Sequence, residues 1–289
     1  MKPLPLVIAS LLTLPAHAVT LLDLVFDAGV TTAQRQQFEG AATFWNSTIL
    51  GYDLTCDSNG QVRPHSLTIN VSVPAIDGVG GTLGSAGPDS ATYYDNNPAG
   101  APSWALYYAS EGSMQFDAAD VDNMIANNTF FGVVMHEMAH VLGIGTLWTY
   151  NTDLAGAGTY NLYTIGSGQY YGPNALAAWQ NEFGQANATY VPVELGGGGG
   201  TANGHWNEVN GGAGATGFVS NLTGLDFSRE LMTGWASNQF FLSTVTLGGL
   251  DDLGYIVDYS KAGLIPEPAT AMLIMAASGL ALRRRRRSP

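Results

Sequence analysis

The chain has 289 residues, 46% of them hydrophobic, enough for one large domain or two lobes around a cleft. Its formal net charge is −13, and the charge is unevenly spread: setting aside Lys2 and the arginines Arg283 to Arg287 leaves only Arg35, Arg63, Arg229 and Lys261 as basic residues between 19 and 265. That strongly acidic stretch disfavours nucleic acid and anionic membrane surfaces as partners.

In chain order, residues 1–18 read as a secretory signal peptide. Lys2 precedes an apolar run from Leu4 to Leu14, and Ala16-His17-Ala18 forms a small-residue cleavage site. The mature chain is expected to start near Val19, in an exported location. The segment Leu21 to Asp27 reads as a strand leading into a helix with Thr31 or Thr32 as N-cap and Phe38, Ala41, Ala42, Trp45 and Ile49 on one face. Cys56 is the only cysteine, so no intramolecular disulfide can form. Strict alternation from Leu67 to Val73 predicts a half-buried strand. The Gly- and Pro-rich stretch from Pro74 to Pro102 reads as long surface loops. Asp117, Asp120 and Asp122, and further on Asp251 with Asp252, are candidate oxygen ligands for Ca(2+), or else caps and turns, because neither group has the spacing of a known calcium loop.

Phe130 to Leu142 is the next strong helix, and it contains His136-Glu137-Met138-Ala139-His140. Residues four apart on a helix differ by about 40° around the axis, so both imidazoles project from one face toward a single ion, with Glu137 about 100° to the side. Neutral imidazoles suit Zn(2+), which keeps a position open for water. Such a site needs a third ligand. Gly143 and Gly145 end the helix, and the position that a compact histidine spacing would fill is Thr146. His205 is the only histidine downstream, while Glu182, Glu194 and Glu208 are alternatives from the same region. The long excursion from His140 to His205 adds only about 2 kcal/mol to loop closure, small beside the roughly 10–16 kcal/mol of a zinc site.

Beyond these, glycine-rich stretches at Gly196 to Gly200 and Gly211 to Gly217 loosen the pattern, and Ser243 to Leu253 predicts a final helix with Ser243 as N-cap and Gly254 just past its end. Residues 266–289 form a separate tail: Pro266-Glu267-Pro268, an apolar run from Ala269 to Leu282, then the arginines. The apolar run is a marginal membrane span, a sorting or anchor segment with transient inner-membrane association, since fourteen helical residues reach about 21 Å against a hydrocarbon core near 30 Å.

Several of these segments together resemble the leishmanolysin-like metallopeptidases, a metzincin group in which a long insertion precedes the third zinc histidine. They are Leu83 to Pro88, His136 to Trp148, Gly204-His205-Trp206-Asn207-Glu208, Glu230-Leu231-Met232-Thr233-Gly234 and Leu250 to Tyr255. The resemblance implies an α+β metzincin-like fold over residues 19–265, with a sheet-bearing N-terminal lobe and an irregular C-terminal lobe around an active-site cleft. It further implies His136, His140 and His205 as ligands of one catalytic zinc, Glu137 as the catalytic general base, Met232 as the methionine turn, and protein or peptide substrates. The tail resembles the PEP-C-terminal sorting signal of Gram-negative bacteria, which implies an exosortase-type sorting enzyme as partner and a final place at the cell-envelope surface or outside the cell. The rival reading is an extracellular matrix or surface-binding protein that keeps the fold without turnover.

Overall fold

A computed structural model describes residues 21–53, 66–95, 105–150, 162–209 and 211–265. The expected signal peptide, Cys56, His65 and the C-terminal tail lie outside these residues. The elements in order are β1 (Leu22–Phe26), α1 (Thr32–Thr48), β2 (Ile49–Tyr52), β3 (Leu67–Ser72), β4 (Gly84–Asp95), β5 (Ala105–Phe116), α2 (Ala118–Ala126), α3 (Phe130–Leu142), β6 (Gln169–Tyr170), α4 (Pro173–Glu182), β7 (Val191–Pro192), β8 (Phe241–Leu242), α5 (Thr244–Asp252), β9 (Tyr255–Val257) and β10 (Gly263–Leu264).

The main sheet has the order β1-β3-β5-β4; β1, β3 and β5 run parallel, and β4 pairs antiparallel with β5 at the edge. In β3 the expected alternation is present, with Leu67, Ile69 and Val71 buried and Asn70 exposed. Helix α1 starts at a capping box in which Thr31 and Gln34 exchange side chain to backbone bonds, as the sequence predicts for its N-terminus. It buries Phe38, Ala41, Ala42 and Trp45, and the Trp45 indole N–H donates to the Met135 carbonyl at 3.2 Å. Phe38, Phe116 and Phe130 meet with ring centroids 5.3–5.5 Å apart, which ties α1, β5 and the start of α3 into one core.

Helix α3 spans the residues that the apolar pattern predicts, and all of them except His136 are buried. Its C-cap, Gly143, has φ +117°, a left-handed conformation that releases the chain into a sharp turn. The helix lies so close to the sheet that a Cβ at Gly112 would sit 2.3 Å from Val141 Cγ1.

The stretch from Pro74 to Pro102 corrects the expectation of surface loops. Gly84 to Asp95 is a strand, paired with β5 from Gly84↔Phe116 to Asp95↔Ala105. Its composition hides it: Pro88 and the glycines break any alternation, and the register shifts between Pro88 and Ala91. An edge strand tolerates a proline, because one row of its backbone groups is left unpaired in any case.

The aspartates weighed as calcium ligands act as caps and turn acceptors. Buried Asp117 caps α2 by accepting from Ala119 N and also accepts from Asp77 N and Gly78 N, while Asp120 accepts from Gly80 N. Asp122 is exposed, and Asp251 accepts from the Tyr259 hydroxyl. Asp252 bonds the N–H groups of Asn174 and Ala175 at 2.8 and 3.1 Å, capping α4 from across the helix pair because its own N-cap is Gly172. After α3 the described strands are only two or three residues long, and packing is carried by α4 on α5 and by aromatic clusters around Trp148 and Trp179. Ser243 caps α5, and Gly254 beyond it has φ +95°, as expected from the sequence.

Candidate metal centre

Three imidazoles converge at the end of α3. Nε2 of His136 lies 3.0 Å from Nε2 of His140 and 3.1 Å from Nε2 of His205, and the last two are 3.0 Å apart. His136 and His140 share a helix face as their spacing dictates, whereas His205 arrives from 65 residues further on. Backbone pairing fixes its segment: Trp206 bridges Val193 on one side and Thr233 on the other, with Trp206 N donating to the Met232 carbonyl at 3.0 Å. The glycine turn then meets this segment, since a Cβ at Gly145 (φ +75°) would lie 2.1 Å from the Gly204 carbonyl oxygen. Thr146 turns its hydroxyl onto the His140 carbonyl at 2.8 Å.

Each ring is held at its other nitrogen by a backbone carbonyl. Nδ1 of His136 bonds Leu231 O at 2.6 Å, Nδ1 of His140 bonds Ile144 O at 2.9 Å, and Nδ1 of His205 bonds Thr201 O at 2.8 Å. A carbonyl only accepts, so all three protons sit on Nδ1 and all three Nε2 lone pairs face one another. Burial drives His136 down to about 3, helped by the charge of His140, drives His140 down to about 4, and holds His205 well below its ordinary range. Three neutral acceptors 3 Å apart cannot satisfy one another, and together they could hold a metal ion. Separations of 3.0–3.1 Å match a single ion at the usual zinc–imidazole distance of about 2.0–2.1 Å, and three nitrogen donors leave the fourth tetrahedral position open. The residues therefore fit the metal, and among those described this is the one group of three or more such side chains able to hold an ion.

Glu137 lies beside the triad, buried, and desolvation pushes its carboxyl up to about 8. The three histidines and Glu137 line an open cleft of about 820 Å³, whose lining also includes Gly84 and Ser85 of β4, Val133, Trp235 and Phe240. A Cβ at Gly84 would stand 3.2 Å from Glu137 Oε1, so glycine keeps the edge strand close to the carboxylate.

The alternative third ligands are employed elsewhere. Glu182 accepts from Ser220 and from Thr244, Glu194 accepts from the N–H groups of Gly196 and Gly211, and Glu208 accepts from Gly214 N and Trp235 N. Trp206 packs instead of lining the cleft: it is fully buried, 4.8 Å from the Trp148 ring, and its indole N–H donates to Thr246 Oγ at 2.9 Å. Met232 is fully buried in the turn whose Leu231 carbonyl orients His136. The three carbonyls that orient the imidazoles were invisible in the sequence, because a backbone acceptor carries no residue signature.

No curated protein matches the chain. The sequence model of the leishmanolysin peptidase family matches residues 108–275, more than half of the chain, running from β5 through α3, His205 and the Met232 turn. Leu83 to Pro88 falls before that range. A match of this extent, over a chain whose three histidines form a group on and against α3 that could hold a metal ion, identifies the protein as a member of the leishmanolysin family of metallopeptidases.

Proposed function

We propose that the protein is an exported zinc metalloendopeptidase in which His136, His140 and His205 hold the metal and Glu137 is the general base. The observation that carries this reading is the triangle of Nε2 atoms 3.0–3.1 Å apart, each ring fixed by an Nδ1 bond to a carbonyl. Zinc in that position supplies a Lewis acid for a peptide carbonyl and lowers the pKa of a water toward 7. Glu137, next to the ligands but not among them, would be drawn to its carboxylate form by the bound cation, against the effect of burial, and would take the proton of the attacking water and pass it to the leaving amine.

Cleavage within a chain is supported by the cleft wall. Residues 84–86 of β4 line the cleft from the open edge of the sheet, and an extended peptide laid beside that edge extends the ladder, bringing a mid-chain bond past Glu137. Met232 serves as the apolar methionine turn beneath the metal, and the fold is read as a metzincin-type pair of lobes about the cleft. Residues 1–18 direct export. Residues 266–289 act as a sorting tail, with passing inner-membrane contact and processing by an exosortase-type enzyme, leaving the domain of residues 19–265 outside the cytoplasm.

The test is zinc stoichiometry and peptide-library cleavage of the full chain beside a Glu137→Ala variant. One zinc in both, with cleavage in the parent alone, is the expected outcome. Equal zinc with no cleavage in either would overturn the catalytic reading.

A further inference from the structure

We infer that Glu230 is a positioning residue for two of the three imidazoles, holding His136 and His205 in place through a single buried carboxylate while leaving His140 to its own helix end. This rests on the metallopeptidase reading for its consequence, but the wiring itself is a property of the metal-free chain.

Glu230 is completely buried, and both carboxylate oxygens are in use. Oε2 accepts from Met232 N at 2.6 Å, while Oε1 accepts from Ser243 N at 3.0 Å, Ser243 Oγ at 2.8 Å and Thr246 Oγ at 2.7 Å. The first bond closes the side chain over the turn Glu230 to Met232, in whose middle the Leu231 carbonyl holds His136 Nδ1. The others fasten the same carboxylate to the first turn of α5, through its N-cap Ser243 and through Thr246.

The second branch runs to His205. The Thr246 hydroxyl that donates to Glu230 accepts the Trp206 indole N–H at 2.9 Å, and the Trp206 backbone N–H donates to Met232 O at 3.0 Å. Trp206 is therefore gripped at both ends by groups that Glu230 orders, and His205 is its chain neighbour. His140 stands outside this network, with its Nδ1 bonded to Ile144 O in the turn that closes α3; the Nδ1 partner of His205, Thr201 O, is also outside it, so Glu230 reaches His205 through the Trp206 backbone alone. A carboxylate suits the task because it only accepts, and four donors point at it. Glutamine has nearly the same shape but presents an N–H₂ group, so at least one donor would face another donor.

The experiment compares the full chain with Glu230→Gln and Thr246→Val. In metal-free protein, proton NMR of the imidazole Nδ1–H groups reports each ring's bond to its carbonyl; zinc affinity is then measured by competition with a chelator. Glu230→Gln is expected to displace the His136 and His205 signals, leave that of His140 in place, and weaken zinc binding by about 10-fold, the low end of the cost of removing a direct outer partner of a ligand, because Glu230 acts one bond further out. Thr246→Val, which keeps the Met232 bond, is expected to move the His205 signal more than that of His136, and it decides the matter if Glu230→Gln does not fold. Unchanged signals in the variants, or equal displacement of all three rings, would overturn the inference and leave Glu230 as ordinary core structure. Failure of the parent itself to bind zinc would refute the metal reading while the NMR pattern still judged Glu230.

Discussion

Replacing Gly145 by alanine probes how the distant third histidine is held. Gly145 has φ +75°, a conformation that costs an L-residue roughly 1–2 kcal/mol, and its added Cβ would stand 2.1 Å from Gly204 O and 2.7 Å from Gly204 C and Cα. Ordinary contact begins near 3.4 Å, so one of the two backbones must retreat by more than 1 Å, about 1.3 Å if the oxygen alone is cleared. Gly204 precedes His205, whose Nε2 sits 3.0–3.1 Å from its two partners, while zinc–imidazole bonds tolerate only a few tenths of an ångström about 2.0–2.1 Å. Gly145 also follows Ile144, whose carbonyl orients His140. Zinc affinity, measured by chelator competition, is expected to fall by about 100-fold or more. Thermal unfolding of the metal-free protein separates this from general instability. Gly199→Ala is the matched control, because a Cβ there meets nothing within 4 Å although Gly199 also lines the cleft. Zinc binding by Gly145→Ala as tight as that of the parent would refute the claim that this backbone contact places His205.

Other expectations follow from the same geometry. Glu137→Gln should keep one zinc and lose cleavage by about 10²- to 10⁴-fold, checked by metal analysis and steady-state kinetics on one peptide. Gly112→Ala should destabilise the chain by about 1–3 kcal/mol in urea unfolding, because its Cβ would fall 2.3 Å from Val141 Cγ1 and push α3 off the sheet. Burial raises Asp252 to about 7, so the folded state holds its proton more tightly than the unfolded chain, whose carboxyl titrates near 3.8. Stability from this group is therefore full below pH 4 and is lost at roughly 1 kcal/mol per pH unit as pH rises toward 7; urea titrations at several pH values should show that slope flattened in Asp252→Asn.

The parts legible in the sequence were those whose signal is local. The apolar pattern and flanking caps located α1 and α3 to within a residue or so, and the alternation of Leu67, Ile69 and Val71 located β3. Strand β4 was not legible, because Gly84, Gly87, Pro88 and Asp89 give no alternation; it is a strand by virtue of its ladder with β5. The aspartates were ambiguous for a similar reason. Whether Asp117 and Asp252 bind an ion or cap a helix depends on which N–H groups face them, and those belong to Asp77, Gly78, Asn174 and Ala175, far away in the chain.

By itself the sequence determined the helical pair His136 and His140, the flanking Glu137, the glycines that end α3, and a short set of candidates for the third ligand. Helix geometry is set by neighbours three and four residues away, so the presentation of two imidazoles on one face needs no knowledge of the rest of the fold. That His205, and not Glu182, Glu194 or Glu208, meets the helical pair was decided by tertiary structure, because it depends on the bridges of Trp206 to Val193 and Thr233 and on the close approach of Gly145 to Gly204. The same holds for the carbonyls of Leu231, Ile144 and Thr201 that fix the three tautomers and for the carboxylate of Glu230 behind them. Backbone acceptors are chemically alike along the whole chain, and only folding selects which of them meets a given ring.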